Sequence, residues 1–209
     1  MTVPPRWLRG LEPAASPRGE DVTNPLTGPH TEIPLPPVEE GIGLRRLYAF
    51  GARVNGAGLA LTDLHLTVEW SQFQDCHFTQ RVRPVLNAQG IAAQGSFAIT
   101  PSTYRGCTFE RVRFNMLSGF DLGRALFEGC TFVNCRWEGH FAHDAWLVNN
   151  RFVGPMNGCA WFGGGVDGTN LIEGNDFTNT RFTTNVAFRD HFPIADQKWP
   201  PGYRPLVDD

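Results

Sequence analysis

The segment ALFEG-CTFVN-CRWEG (residues 125–139) decides the fold of this chain. Each of its five-residue blocks places a large aromatic side chain two positions after a small one or a thiol. The large residue therefore recurs every five positions, as Phe127, Phe132 and Trp137. A period of five is neither the 3.6 of an α-helix nor the 2 of an ordinary strand, which indicates a repeated unit of another kind.

The five-residue pattern extends in both directions from this segment. It continues with gaps towards the C-terminus, and upstream blocks follow it in shifted registers. A small residue at each wall of a stacked structure lets the large residue two places on fill the axis. The predicted structural core is Phe109, Phe114, Phe127, Phe132, Trp137, Leu147, Phe152, Ile172, Phe177 and Phe182.

These blocks resemble the pentapeptide-repeat family, whose motif is a small residue, a polar residue, Leu or Phe, and two further residues. The segments ARVNG-AGLAL-TDLHL (52–66), CTFER-VRFNM (107–116) and NDFTN-TRFTT (175–184) carry the resemblance beside the first segment. It covers residues 52–187 with interruptions. It implies an all-β fold, a right-handed, four-sided parallel β-helix of about five to six coils with inserted loops. A three-sided β-helix stays open, because WLVNNRFVG (146–154) also fits that architecture.

Composition divides the chain into three parts. Residues 1–45 are rich in proline, which denies both helix and ladder hydrogen bonds, and are predicted to form an extended arm. Residues 46–192 form the β-helix, with an insertion at 79–101. Residues 193–209 are expected to form a C-terminal cap or tail. An uncapped coil exposes strand edges, so a homodimer through a helix end is a further expectation.

Charge and hydropathy exclude several classes of protein. A net charge of −3 over 209 residues does not suit a generally basic nucleic-acid binder, so no direct nucleic-acid binding is expected. No apolar run reaches the roughly 18 residues of a membrane span, and the start of the chain lacks a signal-peptide core. The expectation is a cytoplasmic protein without membrane contact. The five cysteines show no paired spacing and are expected to be buried free thiols.

Two clusters look chemical but have structural explanations. His140, His143 and Asp144 could carry acid–base chemistry near neutral pH, yet the register places His140 inward and the other two at a corner. Cys130 and Cys135 are five residues apart, a step that moves a side chain to the next wall instead of towards a shared metal. No catalytic residue, metal or cofactor is predicted.

Stacking the sequence at about 20 residues per coil aligns particular side chains along the rod. One outward column is Phe141, Trp161 and Arg181, and the next is Leu126, Trp146, Val166 and Val186. An exposed aromatic strip of this kind is typical of an interface, unless the proline-rich arm lies across it. In an inward column, Cys130, Asn150 and Asn170 predict an asparagine ladder.

The predicted binding residues are thus Phe141, Trp146, Trp161 and Arg181 on the wall, with Arg81 and Arg83 on the inserted loop. The favoured function is a non-enzymatic scaffold that presents this wall and loop to a macromolecule, with a protein as the expected partner.

Two further functions stay open. Members of the pentapeptide-repeat family include bacterial factors that protect a type II topoisomerase, gyrase, by resembling duplex DNA, which implies drug resistance or self-immunity. Residues 102–192 carry nine acidic side chains against eight arginines, so this rod is nearly neutral whereas a duplex is strongly anionic. The third hypothesis is a carbohydrate-binding or polysaccharide-cleaving β-helix.

Overall fold

The chain folds into stacked parallel β-strands. The structure is a computed structural model and describes residues 28–29, 45–62, 64–80, 93–99, 101–115, 119–164, 170–183, 185–205 and 207–208. These residues are nearly all β, with one short 3₁₀ helix at Ile194–Asp196, and they form a parallel β-solenoid of about five turns. The predicted fold class is therefore confirmed. No helix among them has the length and apolar character needed to span a membrane.

The strands, numbered in chain order, form three hydrogen-bonded sheets. Sheet 1 contains, in spatial order, β1 (Gly28–Pro29), β3 (Arg53–Asn55), β6 (Gln72–Gln74), β9 (Ser102–Arg105), β13 (Ala125–Glu128), β16 (Trp146–Val148) and β19 (Ile172–Glu173). Sheet 2 contains β4 (Gly58–Ala60), β7 (His77–Thr79), β10 (Thr108–Glu110), β14 (Thr131–Val133), β17 (Arg151–Met156) and β20 (Asp176–Phe182). Sheet 3 contains β2 (Arg45–Phe50), β5 (Leu64–Glu69), β8 (Gln94–Ser96), β12 (Phe120–Asp121), β11 (Arg113–Asn115), β15 (Arg136–Phe141), β18 (Cys159–Phe162), β21 (Val186–Arg189) and β22 (Val207–Asp208).

The corners between strands explain why glycine and asparagine are frequent. The residue that precedes a small inward residue often adopts a left-handed conformation, as at Gly129 (φ 63°) and Asn134 (φ 51°). Glycine enters this region at no steric cost and asparagine tolerates it, so both residue types suit the corners. In the turn that starts at Ala125, β15 pairs with β11 through its first half and with β18 through its second. This turn therefore has four paired segments.

The core is a set of stacked rings. Tyr104 lies between Phe73 and Phe127, with ring centroids 5.0 and 4.9 Å away. A longer column follows sheet 2 with stacked centroids 4.5–5.1 Å apart: Phe78, Phe109, Phe132, Phe152, Phe177 and Trp199. Of the ten predicted core residues, all lie in the buried cluster except Phe182, which is partly buried and packs against it.

The insertion predicted at 79–101 is too long. Its last part forms β8, which pairs with β5 and β12, and places Phe97 at the centre of the core. The sequence pattern missed this turn because Gln94-Gly95-Ser96 has a glycine where the motif has a large residue. Phe97 fills the axis instead, within 5.3–6.5 Å of six other aromatic rings.

Turn length varies, which changes the predicted alignment of side chains. Hydrogen bonds join Cys130 to Asn150 across 20 residues, but Asn150 to Asn175 across 25. The extra residues fall in the glycine-rich stretch after Phe162. The predicted ladder of Cys130, Asn150 and Asn170 is therefore wrong at its last member, because Asn175 stands there and Asn170 donates to the Ala142 carbonyl.

The side chains of this ladder also make the same kind of hydrogen bond in every turn. Each side chain donates to the carbonyl of the inward residue one turn earlier, as Cys130 does to Tyr104, Asn150 to Phe127 and Asn175 to Leu147. Gln197 ends the column by donating to the Ile172 carbonyl. The thiol and amide side chains thus donate hydrogen bonds to buried backbone carbonyls that would otherwise have no partner.

The C-terminal segment covers the end of the core. Trp199 stacks on Phe177 at 5.1 Å between ring centroids, and Tyr203 stacks on Phe182 at 4.2 Å. The Trp199 indole nitrogen donates to the Ile194 carbonyl, which fixes the ring over the last turn. Among the described residues this segment acts as a cap, since it buries rings that an open coil end would expose to water.

One corner glycine also faces the backbone of the preceding turn. Gly123 has φ +56°, and a Cβ there would lie 2.0 Å from the Ala98 carbonyl oxygen. Gly129 has φ +63° with no heavy atom within 4 Å of the same position. Gly129→Ala should lose only the left-handed penalty of roughly 1–2 kcal/mol, whereas Gly123→Ala should lose clearly more, because the backbone must move. Urea unfolding of both variants measures the difference, and equal losses would contradict the close approach.

Candidate functional site

The predicted aromatic strip does not exist as an outward surface. Phe141 is 3% exposed and Trp161 is 0% exposed, and both belong to the core. Phe141 pairs with Trp161 along sheet 3, and Trp161 pairs next with Phe188 instead of Arg181. The prediction was wrong because β15 continues for six residues, so its inward positions no longer follow the five-residue register.

The remaining predicted binding residues lie apart from one another. Trp146 is half-buried on sheet 1 beside Leu126, and Arg181 is exposed on β20 opposite Pro155. Arg81 and Arg83 lie outside the described residues.

Whether the arm 1–45 covers Trp146 also falls outside the described residues. Of that arm, Gly28–Pro29 and Arg45, the first residue of β2, are described, and Gly28–Pro29 extends sheet 1 beyond β3.

The structure has a groove that the sequence did not predict. It has a volume of about 630 Å³ and crosses the outer face of sheet 3 before it ends at the corners that follow β12 and β15. This volume lies within the range of roughly 300–1,000 Å³ that is typical of ligand sites. Its lining includes His65, Gln94, Ser96, Asp121, Leu122, Arg124, His140, His143 and Asp144.

An extra strand in sheet 3 explains the groove. The third complete turn contributes two strands, β11 and β12, which pair with each other through Phe114 and Phe120. The spatial order is β8, β12, β11 and β15, so β11 separates β12 from β15. At a strand spacing of about 4.8 Å, β12 and β15 are then about 9.6 Å apart. Past the end of β11 at Asn115, no described strand fills the position between them.

The backbone on both sides of the groove faces into it. Successive residues of a parallel ladder direct their N–H and C=O groups to opposite neighbours. Gly139 donates to Gly158 on the β18 side, so the N–H and C=O of His140 point into the groove. On the other edge, the Asp121 carbonyl accepts from Phe97 on the β8 side, which directs the backbone groups of Leu122 towards the groove.

The groove combines an apolar floor with polar walls. Ala98, Leu122, Phe141 and Ala142 are buried at its base. Ala142 adopts φ 70°, a left-handed conformation that a residue with a Cβ occupies at an energetic cost. The same conformation occurs at other corners of the rod, as at Arg111 and Asn134.

One wall carries a partly buried carboxyl group. The Ser96 hydroxyl donates to an oxygen of Asp121 at 2.5 Å, and the same hydroxyl oxygen accepts from the Ala98 N–H at 3.2 Å. Burial raises the pKa of Asp121 above the ordinary aspartate value, although hydrogen bonds from Ser96 and the Gly123 N–H oppose that shift. Asp121 therefore carries its negative charge at a cost, which a cationic ligand group would relieve.

The raised pKa of Asp121 has a consequence for stability. The folded state binds the proton more tightly than the unfolded chain, so this group stabilises the protein at low pH and loses that contribution as pH rises through its folded pKa. Asp121→Asn should therefore gain stability relative to the wild type as pH increases from about 4 to about 8. Urea unfolding across that range measures it. The exposed Asp144→Asn is the control, and a difference from wild type that does not change with pH would contradict the assignment.

The other wall carries two imidazoles on an aromatic base. His140 was predicted to point inward, but its side chain is exposed. Phe162 lies beneath it, with ring centroids 5.2 Å from His140 and 4.1 Å from His143. The sequence could show these residues as a cluster, but not that they border a groove, because that depends on the extra strand across from them.

Several charges along the rest of the rod are paired between turns. Arg105 Nε lies 2.8 Å from Glu128 Oε2, and Arg113 Nη2 lies 3.0 Å from Glu138 Oε2. Partial burial raises the pKa of Glu138, but hydrogen bonds from Asn115 and Arg113 outweigh it and hold the pKa below the ordinary value. Paired charges of this kind do not make the strongly anionic surface of a duplex.

The five thiols are buried and free. Burial raises the pKa of Cys135 to about 12, and the same cause acts on Cys159. Cys135 and Cys159 therefore stay protonated and unreactive at neutral pH. Within the described part of the chain, no three or more His, Cys, Asp or Glu side chains are arranged to hold a metal ion.

Comparison with known proteins adds no assignment. No protein-family profile, curated protein or solved structure matches this chain. The class that its own geometry defines is a parallel β-solenoid.

Proposed function

We propose that this protein is a non-enzymatic scaffold of the pentapeptide-repeat type that binds another protein through the groove beside β12 and β15. The observation that carries the proposal is the groove itself, about 630 Å³ in volume, which lies beside β12 and β15 with an apolar floor and polar walls. Around most of the rod the strands pair with the turn before and the turn after, which leaves no edge for a partner.

The combination of floor and walls supports a macromolecular partner. Binding sites of proteins pair an apolar base with a few polar groups that fix orientation, and Ala98, Leu122 and Phe141 with Ser96 and Asp121 provide both. The exposed Ile99 extends the apolar surface at the groove rim, with 55% of its area accessible.

Site-specific photo-crosslinking in the producing cells tests this function. Benzoylphenylalanine at position 99 should yield a discrete crosslinked protein, whereas the same group at position 48, where Tyr48 is 53% exposed outside the groove, should not. The identified protein should then bind the purified chain, and Asp144→Arg should weaken that binding roughly tenfold or more. Identical products from both positions, or binding that Asp144→Arg leaves unchanged, would contradict a protein-binding groove.

A second candidate is recognition of a sugar chain in the same groove. The wall groups are hydroxyl, carboxyl, amide and imidazole side chains, which also suit hydroxyl-rich ligands. A glycan array probed with the purified chain tests this alternative, with Asp121→Asn as the groove variant. Binding that the variant abolishes would favour the sugar over the protein partner.

A further inference from the structure

Side chains on the outer face of sheet 1 are more buried than their position explains. Tyr104 of β9 and Phe127 of β13 point into the core. The alternation of side chains along a strand therefore directs Thr103, Leu126 and Val148 outwards. All three are nevertheless buried, with 2%, 5% and 7% of their areas exposed. A bare outer face would leave these side chains in contact with water.

Sheet 2 provides a comparison within the same rod. Thr131 and Val133 hold the equivalent outward positions on β14, and both are only partly buried. They also have a strand on each side, since β14 pairs with β10 and β17. The same residue types are thus less buried on sheet 2 than Thr103 and Val148 are on sheet 1. The difference requires other atoms packed over the outer face of sheet 1.

The cover over Thr103 has an apolar character. Within the described part of the chain, the buried Thr103 hydroxyl has no hydrogen-bond partner. A buried hydroxyl normally finds one, so whatever covers it brings no donor or acceptor to that point. Proline and apolar side chains have this property, because neither carries a polar N–H. Gln72 and Trp146, at the two ends of the column that contains Thr103 and Leu126, each have a further interaction partner.

Most stretches outside the described residues connect strands away from this face. Residues 81–92 lie in the chain between β7 on sheet 2 and β8 on sheet 3, and residues 116–118 lie between β11 and β12 on sheet 3. Residues 30–44 lead from β1 to β2 on sheet 3. Residues 165–169 lead into sheet 1 only at β19, three strands beyond β9. Residues 1–27, which directly precede β1 on sheet 1 itself, are the remaining long stretch.

Residues 1–27 have the length and composition for this cover. Five strand spacings separate β1 from β16, the strand of Trp146, which is about 24 Å. About eight residues of polyproline II chain, at roughly 3.1 Å each, span that distance. The stretch contains five prolines, and its segment RWLRGL (residues 6–11) brings three large apolar side chains close together. It can therefore supply proline rings and apolar side chains to the whole column.

We propose that the outer face of sheet 1 is a docking surface for an extended proline-rich segment, and that residues 1–27 of the same chain occupy it. Proline-rich segments dock on surfaces lined by aromatic side chains, and Trp146 provides one beside Leu126. The surface lies on sheet 1, whereas the groove lies on sheet 3, so this inference does not depend on the function proposed for the groove.

Photo-crosslinking within the purified full-length chain tests the occupant. Benzoylphenylalanine replaces Trp146 in one sample and Val133, at an outward position of sheet 2, in the control. After irradiation and digestion, mass spectrometry should find position 146 linked to a peptide from residues 1–27, and position 133 without that link. Gln72, in the same column as Trp146, is a second site for the probe if the first variant does not fold, as circular dichroism would show.

Two arm variants test whether apolar contacts hold the segment in place. Trp7→Asp combined with Leu11→Asp should reduce the link from position 146 roughly tenfold or more, because docking would bury unpaired carboxylates. Ser16→Asp combined with Thr23→Asp adds the same charge at polar positions and should leave most of the link.

Each other outcome would overturn the proposal. A link from position 146 to residues 165–169 would assign the cover to that stretch, and a product with the mass of two chains would assign it to a second copy. The absence of any link from positions 72 and 146, or equal links from positions 133 and 146, would show that residues 1–27 do not dock on this face. A link that Trp7→Asp with Leu11→Asp leaves unchanged would also contradict the proposed apolar docking.

Discussion

Replacing Phe97 by alanine should reduce the free energy of unfolding by about 3–5 kcal/mol, the range for removing a buried aromatic ring. Phe97 is fully buried, and its ring lies within 5.3–6.5 Å of six other rings, including Phe109 and Phe120. Its carbonyl also accepts the buried Tyr104 hydroxyl at 2.6 Å, so a local shift would disturb that bond. Since a domain has only about 5–15 kcal/mol in total, the variant should melt far below the wild type.

Ile99→Ala is the matched control for Phe97→Ala. It lies two residues further along the same segment and is 55% exposed. Its loss should stay near 0.5 kcal/mol, because little apolar surface is removed from the interior. Urea unfolding monitored by circular dichroism measures both variants. Equal losses for Phe97→Ala and Ile99→Ala would mean that residues 93–99 do not form part of the core.

Asn175→Ala should reduce the free energy of unfolding about as much as Phe97→Ala does, for a different reason. The Asn175 side chain is fully buried; its oxygen accepts from the Asn150 N–H, and its nitrogen donates to the carbonyl of Leu147 and to Gln197. Alanine leaves these groups buried without partners, and each such group costs about 1–3 kcal/mol. The expected loss is about 3–5 kcal/mol by urea unfolding.

Two other asparagines provide comparison variants for this prediction. Asn179→Ala, at an exposed position, should change stability by no more than about 0.5 kcal/mol. Asn170→Ala, at the position that the sequence pattern assigned to the ladder, should lose about 1 kcal/mol with its bond to Ala142. A larger loss at Asn170 than at Asn175 would show that the turn has 20 residues and that the ladder follows the sequence pattern.

The sequence predicts those parts of the fold that repeat. Phe109, Phe127 and Phe132 lie in the core as predicted, because each five-residue block fixes its own inward residue independently of the others. The solenoid class follows from this repetition alone. The sequence does not predict which side chains align between turns, because extra residues in one turn shift the alignment of every later turn. The extra residues after Phe162 moved the amide ladder from Asn170 to Asn175 in this way.

The groove could not be predicted from the sequence, for a related reason. It lies where β11 and β12, a few residues apart in the chain, pair with each other and so place β11 between β12 and β15. The sequence of residues 113–121 looks like one five-residue repeat followed by a shift of register. Nothing in that pattern predicts that β11 and β12 belong to one sheet. His140 and Asp144 were recognised as a polar cluster, but their role as a groove wall depends on the segment opposite.

Amide hydrogen exchange of the free protein tests the groove beside β15 most directly. The amides of Gly139 and Phe141 face β18 and should be strongly protected, whereas that of His140, between them, should exchange much faster because it faces the groove. Leu122 should likewise exchange faster than Arg124, which donates to Ala98. Protection of His140 equal to that of its two neighbours would mean that the ladder is closed there and would contradict both the groove and the function proposed for it.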